Sequence, residues 1–378
     1  MTDVMTHAPQ KSERGLRGMA KKLVPAVCDV SVTNVCNATC NFCAYAHDKG
    51  IVTDRRWVDR EKFGEAMPIL KRRGVRYVNF QGGEPLLHPK IDELIAEVQA
   101  NGMTPALITN GWLLPGKVEK LVAAGLSALL VSLDSHSIEL HEKNRGLKGL
   151  CSRIREGVAV ARKHGLTTVS VVTVNHLVDF PQLPAMLKDM GFDAVSFSYP
   201  RKEAFGSSSL VYGADSDLVD YTPDQLIEAL DAIKAMKSEY TVMNPSAALE
   251  DMKRFVRGEE QLIPCVGGHK YFYMDWNLQI WRCEAWHEPL GSVFDLDTIA
   301  DKRDRCTACM QNCYRDTSTL MHAGVAVADA MTAVSKGKLG EAVGHLFQRS
   351  VAKSLGSVIE EASVIRRLSK NRVASASA

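Results

Sequence analysis

The chain has 378 residues, more than a single hydrophobic core usually serves, so we expect a large domain and a smaller one. Its 46% hydrophobic and 24% charged residues are typical of a soluble globular protein, and a net charge of +2 gives no electrostatic argument for nucleic acid as a partner. We find no apolar run of about 18 residues and no apolar signal-peptide core. We therefore expect neither a spanning helix nor secretion, and we predict a cytoplasmic protein.

The two ends of the chain are basic. The first 22 residues carry five cations against two anions, and from Lys336 onward eight Lys or Arg residues face three Glu residues. One interpretation is that these charges solubilise the termini. The other is peripheral contact with the anionic surface of the inner membrane, helped by apolar residues within Leu339–Ile365.

Short apolar strands alternate with longer helical stretches from about residue 27 to residue 198. The predicted strands, rich in β-branched residues, are Val27–Thr33, Val75–Phe80, Thr104–Thr109, Ala128–Leu133, Thr167–Val174 and Asp193–Ser198. The predicted helices between them are Asp59–Arg73, Pro89–Asn101, Pro115–Ala124, Gly149–His164 and Phe180–Met190. Six β/α units in a row indicate a parallel α/β sheet, either doubly wound and open or closed into an incomplete barrel. Both architectures bind ligands at the carboxyl ends of the strands.

The alternation ends after Tyr199. Residues 200–222 are polar and predict a loop or lid, which a helix over Pro223–Lys237 follows. The stretch Tyr271–Arg282 predicts a hairpin with Trp276 and Asn277 in the turn. We therefore divide the chain into a basic N-terminal segment (1–25), the β/α domain (26–222), a cysteine-bearing extension (223–316) and a basic helical tail (317–378).

Three cysteines follow the first predicted strand. Cys36, Cys40 and Cys43 form a C-x3-C-x2-C motif, and thiols at this spacing in a loop can ligate three irons of one [4Fe–4S] cluster. The fourth iron is then free to chelate a substrate. The alternative is a zinc site that His47 completes.

The segment CNATCNFC, with Phe42 before the last cysteine, resembles the signature of the radical S-adenosylmethionine (SAM) superfamily. The resemblance covers about Val27 to Ser198 and implies a (β/α)6 partial TIM barrel. It also implies an enzyme in which the open iron binds SAM, and an electron from a donor such as flavodoxin or ferredoxin yields a 5′-deoxyadenosyl radical. The fold class expected is thus α/β, with a small cysteine-containing extension and a helical tail.

Later strand ends carry residues that resemble the SAM-binding motifs of this superfamily. Gly82, Gly83 and Glu84 match its GGEP motif, which contacts the amino group of SAM, and Thr109 and Asn110 match its TNG segment. The remaining candidates are Ser132 and Asp134 for the ribose hydroxyls, Arg145 for the SAM carboxylate, and Asn175 for the same pocket. Asp134 could equally cap the next helix, and Arg145 could form a surface ion pair.

A second group of five cysteines resembles the SPASM and twitch extensions of radical SAM enzymes. Its members are Cys265, Cys283, Cys306, Cys309 and Cys313. Five cysteines are enough for one auxiliary [4Fe–4S] cluster; a structural zinc or free thiols are the alternatives. Cys28 and Cys151 lie in apolar segments and are predicted to be buried structural thiols.

The functional hypotheses differ in the substrate that each implies. The FVRG segment and the late C-x2-C-x3-C-Y motif, followed by an amphipathic tail, resemble the hopanoid-biosynthesis branch and imply a lipid or isoprenoid. Modification of a peptide or protein is the competing enzymatic hypothesis, and a non-catalytic iron–sulfur scaffold is the third. Candidate substrate-side residues are Tyr199, Arg201, Tyr212, Glu284 and His287, whereas Trp281 and Trp286 are expected to pack the hairpin.

Overall fold

The computed structural model describes residues 23–43, 54–199 and 216–376, with side chains described as far as residue 369. The predictions that involve the first 22 residues, His47, Arg201 and Tyr212 lie outside the described residues.

The described strands form one nine-stranded sheet in the order β6-β5-β4-β3-β2-β1-β7-β8-β9. Strands β1 to β6 and β7 pair in parallel with their neighbours, and β8 and β9 are antiparallel. The strands are β1 (Ala26–Ser31), β2 (Val75–Gln81), β3 (Thr104–Thr109), β4 (Ala128–Leu133), β5 (Thr167–Thr173), β6 (Ala194–Ser198), β7 (Tyr271–Met274), β8 (Gln279–Trp281) and β9 (Gly291–Ser292). The six predicted strands are thereby confirmed, and the sheet is that of an α/β partial barrel that does not close.

Eleven α-helices lie in the described residues. They are α1 (Arg60–Arg73), α2 (Ile91–Ala100), α3 (Val118–Ala123), α4 (Ile138–Arg145), α5 (Leu150–Lys163), α6 (Leu183–Asp189), α7 (Pro223–Met236), α8 (Ser246–Val256), α9 (Asn312–Val334), α10 (Leu339–Leu346) and α11 (Arg349–Ala376). Local chemistry sets their ends: the Asp59 side chain accepts from the Lys62 amide at the start of α1, and Gly74 ends it with φ 99°. Helices α4 and α8 are additional to the predicted ones.

Alternate residues of each strand face opposite sides of the sheet. One side packs on the helices, as where the ring of Phe63 on α1 lies 5.8 Å from that of Phe80 on β2. The other side lines an internal cavity, to which β1 contributes Val27 and Asp29. Beyond β6 the sheet edge is covered by residues 241–244, because the Met243 amide donates to Val195 (2.8 Å) and the Asn244 carboxamide bonds both backbone groups of Phe197.

The predicted hairpin is present, but it does not form a separate small domain. Strand β7 pairs directly with β1, placing Tyr271 opposite Val27, so the hairpin continues the barrel sheet. The predicted boundary at residue 316 falls inside α9, which starts at Asn312 and carries Cys313. Helices α10 and α11 pack on α9. Among the described helices, none combines the length and the apolar character needed to cross a bilayer.

Candidate functional site

The three cysteines of the first motif lie on the loop after β1, at the carboxyl end of the sheet. Burial raises the pKa of both Cys36 and Cys40 to about 12. The Ala38 amide donates to the Cys36 sulfur at 3.5 Å, and the Cys43 amide donates to the Cys40 carbonyl at 3.1 Å. The loop therefore gathers three thiols in a poorly solvated place, where a metal must supply the charge that stabilises thiolates.

The two glycines after β2 lie directly against this loop. The Gly83 amide donates to the Thr33 carbonyl and the Glu84 amide to the Val35 carbonyl, both at 2.8 Å. A Cβ atom at Gly82 or Gly83 would come within 3.0 Å of those same carbonyl oxygens. The glycines are thus required by the close approach of two backbones, a reason that the motif alone did not indicate.

Glu84 organises the turn after β3. It is 1% exposed, and its carboxylate accepts from the Thr109 hydroxyl (2.6 Å) and the Asn110 amide (2.7 Å). The Asn110 carboxamide in turn donates to the Asn37 side chain in the cysteine loop at 2.8 Å. The residues predicted to contact SAM through their side chains therefore already bond one another and the loop.

The end of α4 also forms hydrogen bonds with the cysteine loop. We call these contacts, together with those of Gly83, Glu84 and Asn110, the clamp on the cysteine loop. The Thr39 amide donates to the Arg145 carbonyl (2.9 Å) and the Asn41 amide to the Asn144 side chain (3.2 Å). A Cβ at Gly146, which has φ 65°, would overlap the Thr39 hydroxyl. Helix α4 thus fixes the loop between its first and last cysteines.

Asp134 and Arg145 make a buried ion pair. Arg145 donates through Nε (2.7 Å) and Nη2 (2.6 Å) to the two carboxylate oxygens of Asp134, and this holds the pKa of Asp134 well below its usual range. The pair is not at the surface, and the N-cap of α4 is Ser137 rather than Asp134, so both alternative interpretations of these residues are wrong. The guanidinium fork predicted for the SAM carboxylate is engaged by Asp134.

The last two predicted SAM contacts differ in their surroundings. Asn175 is fully buried and donates to the carbonyls of Asp134 (2.9 Å) and Thr173 (2.7 Å). Ser132 is half-buried on β4, near its carboxyl end. Direct contact of these side chains with SAM stays a prediction.

A cavity of about 600 Å³ occupies the concave side of the sheet and is covered by α9. Its apolar wall includes Ile108, Leu130 and Val171 from β3, β4 and β5. Its polar residues include Asp29, Asn79, Gln81, Ser196, Ser198, Tyr199, Tyr271, Glu284, Asp316 and Glu361. A single space thus offers an apolar side and a hydrogen-bonding side, which suits an amphipathic ligand.

Two buried carboxyl groups face a thiol on the polar side. Asp29, Glu284 and Cys313 each have a ligand atom within 4.8 Å of the others. Asp29 accepts from Tyr271 (2.7 Å) and Asn79 (2.8 Å), while Glu284 accepts from Gln81 (3.2 Å) and Gln311. Burial raises the pKa of Asp29 to about 6, and burial with the neighbouring Asp29 charge raises that of Glu284 to about 8.

The five later cysteines meet beside the cavity, across β7 and β8. The Cys265 amide donates to the Cys306 carbonyl (2.9 Å), and the pKa of Cys265 is raised by burial and by the neighbouring thiols of Cys309 and Cys306. Cys283 lies next to Cys265 and Cys309, with its pKa raised to about 12. Cys309 and Cys313 line the cavity itself.

The spacing of the cysteine sulfurs bears on the zinc alternatives. All ten cysteines lie in the described residues, and no three of their sulfurs come within 4.8 Å of one another. A tetrahedral zinc with bonds of about 2.3 Å requires sulfurs about 3.8 Å apart. No three cysteine thiols in the described residues are therefore arranged as a preformed tetrahedral zinc site.

Several predicted residues have a definite place. Tyr199 and Glu284 line the cavity, whereas His287 is exposed and does not. Cys28 and Cys151 are buried. Trp281 donates to Asp275 at 2.9 Å, as expected of a hairpin residue, while Trp286 is 38% exposed beside Arg282.

Five polar residues that line the cavity were not predicted: Asp29, Asn79, Gln81, Ser196 and Ser198. Their signal was a polar residue at every second position of otherwise apolar strands.

Thiols on a loop at the carboxyl end of an open, parallel α/β barrel define a class of iron–sulfur enzymes. Residues 30–198 match the family model of the Radical SAM superfamily, so this part of the chain is a radical SAM domain. The match supports the predicted enzyme class and the predicted cofactors, a [4Fe–4S] cluster and SAM.

Proteins similar to this chain in sequence share mainly that domain. The GTP 3′,8-cyclase of Helicobacter pylori (strain HPAG1) is 35% identical over 152 residues, covering 39% of this chain and 47% of that protein. A probable GTP 3′,8-cyclase of Methanocaldococcus jannaschii is 32% identical over 168 residues, covering 43% and 55%. The chain thus spans about half the length of the curated relatives it matches.

The solved structure of SuiB from Streptococcus suis bound to SAM has a TM-score of 0.56 to this chain at 14% identity. The match covers 75% of this chain and 68% of SuiB. At that identity the likeness is one of fold. SuiB has also been solved with its precursor peptide SuiA, with a TM-score of 0.53 at 15% identity over 69% of this chain and 60% of SuiB.

Proposed function

We propose that the chain cleaves SAM reductively at a cluster held by Cys36, Cys40 and Cys43 and directs the product radical at a small amphipathic molecule in the cavity. The observation that carries this proposal is the clamp on the cysteine loop. Residues after β2, after β3 and at the end of α4 all bond the same three-thiol loop. Such a fixed donor set suits a cluster that must keep one iron open.

When bound, the cluster and SAM supply one electron and the 5′-deoxyadenosyl radical. We place SAM against Gly82, Gly83, the Thr109–Asn110 turn and Ser132, at the carboxyl ends of β2 to β4. Glu84, Asp134, Arg145 and Asn175 act as positioning residues, since each is buried and bonds neighbouring loops. A rigid pocket keeps the reactive carbon near the cavity and away from water.

We propose a second, auxiliary [4Fe–4S] cluster on Cys265, Cys283, Cys306 and Cys309. Burial raises the pKa of Cys265 and of Cys283, and neighbouring thiols add to it: Cys309 and Cys306 for Cys265, and Cys265 and Cys309 for Cys283. The Cys313 sulfur lies instead with the carboxylates of Asp29 and Glu284. The cluster would therefore be fully coordinated by protein, and it would face the cavity from the side opposite the apolar wall.

The cavity wall supports a lipid-derived or isoprenoid substrate over GTP or a peptide. Its described lining includes four carboxyl groups and no Lys, Arg or His, so it offers nothing to a triphosphate. Its volume suits a small molecule rather than a folded peptide segment. Ile108, Leu130 and Val171 would hold the apolar part, and Asp29 with Glu284 the polar part.

The test is SAM cleavage by protein reconstituted anaerobically with iron and sulfide. With dithionite, the wild type is expected to release 5′-deoxyadenosine, and Cys36→Ala, Cys40→Ala and Cys43→Ala to release none. Cys151→Ala, which changes a buried thiol outside the site, is the matched control and should retain release. Absence of release from the cluster-loaded wild type would refute the reaction.

Substrate class is tested separately in the same assay. Release should rise when an isoprenoid-containing lipid extract is added and should stay at its basal level with GTP. Stimulation by GTP, or by a peptide and not by lipid, would contradict the assigned substrate class while leaving the SAM chemistry intact.

A further inference from the structure

Large apolar side chains are exposed on the C-terminal helices. On α10 and the residue after it, the exposed fractions are 66% for Leu339, 55% for Val343 and 85% for Phe347. Their spacing of four residues puts them on one face of the helix. A surface helix of a globular protein normally turns that face to the core, so this face has no partner within the described chain.

Helix α11 also exposes large apolar side chains, although another of its faces is already packed against the protein. Val351, Ser354 and Val364 are buried, so the helix has its inward face. Leu355, Ile359 and Ile365 nevertheless stand out from it, with Ile359 73% exposed. We call the exposed apolar residues of α10 and α11 (Leu339, Val343, Leu346, Phe347, Leu355, Val358, Ile359 and Ile365) the tail patch.

The charges around the tail patch that form no ion pair are all positive. Five exposed cations form no ion pair in the described part of the chain: Lys336, Arg349, Lys353, Arg366 and Arg367. The anions of the same helices are engaged elsewhere. Glu341 bonds Lys338, Glu360 bonds Lys237 and Ser246 across to α7 and α8, and Glu361 faces the cavity. The surface is therefore apolar and basic at once.

We propose that the tail patch docks on the surface of an anionic lipid bilayer. Apolar side chains that enter the headgroup boundary, with Lys and Arg near anionic lipids, are the two terms of interfacial binding. A second copy of the chain fits less well, because a twofold interface would bring the five cations of each copy together. Helix α11 also contributes Glu361 to the cavity lining, so docking places the bilayer next to a helix that lines the cavity. This inference goes beyond the proposed function and does not depend on it.

The test is flotation of the full-length, cluster-loaded protein with vesicles, without reductant or substrate. We expect binding to phosphatidylcholine vesicles that contain phosphatidylglycerol, little binding to phosphatidylcholine alone, and loss of binding at high salt. Phe347→Asp and Ile359→Asp should each lower binding by about tenfold or more. Phe294→Asp, which changes a phenylalanine that is 42% exposed and remote in sequence from the patch, should leave binding unchanged.

Three results would overturn the proposal. One is that the wild type does not float with anionic vesicles. Another is that Phe347→Asp binds as well as Phe294→Asp does. The third is a lipid-free dimer, seen by light scattering, that Phe347→Asp dissociates, because the occupant would then be a second copy. Unchanged melting temperatures of the variants exclude unfolding as the cause, and SAM cleavage plays no part in any of these readouts.

Discussion

Two neighbouring atoms explain why a glycine stands at position 83. The amide of Glu84 and the carbonyl of Val35 are hydrogen-bonded at 2.8 Å, and a Cβ on Gly83 would enter the same space. The residue therefore acts on the cysteine loop through its missing side chain. Similar reasoning applies to Gly146, against which Thr39 of the loop packs.

Gly83→Ala is expected to displace the cysteine loop, because the added methyl group overlaps backbone that cannot rotate away. We expect a loss of about 1–3 kcal/mol of stability and a loss of about four irons per chain after reconstitution. Gly116→Ala is the control, since nothing lies within 4 Å of a Cβ at that exposed position. Iron analysis and thermal unfolding measure both effects; equal iron content in the two variants would contradict the clamp.

Asp316 is a cavity residue whose ionisation destabilises the folded state. Burial raises its pKa to about 8, one carboxylate oxygen has no hydrogen-bond partner, and the other accepts from Asn244 at 2.7 Å. The folded state therefore binds a proton more tightly than the unfolded chain does. Between about pH 4, where the unfolded carboxyl titrates, and the folded value of about 8, stability should fall as pH rises.

Asp316→Asn removes that titration and keeps an acceptor for Asn244. We expect the variant to be more stable than the wild type at pH 8, by about 1 kcal/mol or more, and similar to it near pH 4. Chemical denaturation across this range measures the difference. A wild type and variant with parallel stability profiles would show that Asp316 is not buried as a neutral acid.

At the scale of elements, α4 is the part of the fold that links the sheet to the cysteine loop. Asp134, just past β4, pairs with Arg145 at the end of α4, and Asn144 bonds both Asp134 (2.8 Å) and the loop residue Asn41. The ion pair thus fixes the position of the C-terminal end of α4, and that end fixes the path of the cysteine loop. The Asp134–Arg145 ion pair therefore acts on the cysteine loop indirectly, through the end of α4.

Asp134→Asn should be strongly destabilising because it leaves the Arg145 charge buried without its counter-charge. Breaking such a pair costs about 3–5 kcal/mol, whereas Asp297→Asn, which breaks the exposed pair with Arg72, should cost under about 1 kcal/mol. Since the pKa of Asp134 is lowered in the folded state, its contribution is present above about pH 4 and lost as pH falls further. Equal effects of the two substitutions at neutral pH would remove the case for a buried clamp.

At the scale of the whole molecule, the two thiol groups belong to one sheet, and the second of them borders the cavity through Cys309 and Cys313. The first group follows β1 at the carboxyl end of the sheet, and the second is built from the β7–β8 hairpin and the start of α9. Because β7 pairs with β1, the two groups are attached to one continuous sheet.

Iron counts distinguish the ligands of the second group. The reconstituted wild type should hold about eight irons, Cys265→Ala about four, and Cys313→Ala about eight, because the Cys313 sulfur lies with Asp29 and Glu284. Loss of about four irons in Cys313→Ala would assign that thiol to the cluster. No loss in Cys265→Ala would show that the second group holds no cluster.

The sequence alone predicted the six β/α units, the cysteine triad and the strand ends where polar motifs occur. It did so because strand hydrophobicity, glycine helix ends and cysteine spacing are local properties. Local patterns also made Cys28 and Cys151 recognisable as core thiols. What they could not give is the identity of partners distant in the chain.

The partners of the polar residues became visible only in the folded structure. Whether Arg145 holds SAM or Asp134, and whether Glu84 faces a ligand or the turn at Thr109, depends on which loops meet after folding. The cavity has the same origin, since Asp29, Glu284 and Cys313 are far apart in sequence and meet only because β7 adds to β1 and α9 closes over the sheet. The cysteine triad could be predicted because its three thiols are within eight residues, whereas the clamp that gives it a fixed shape is made by residues up to about 100 positions away.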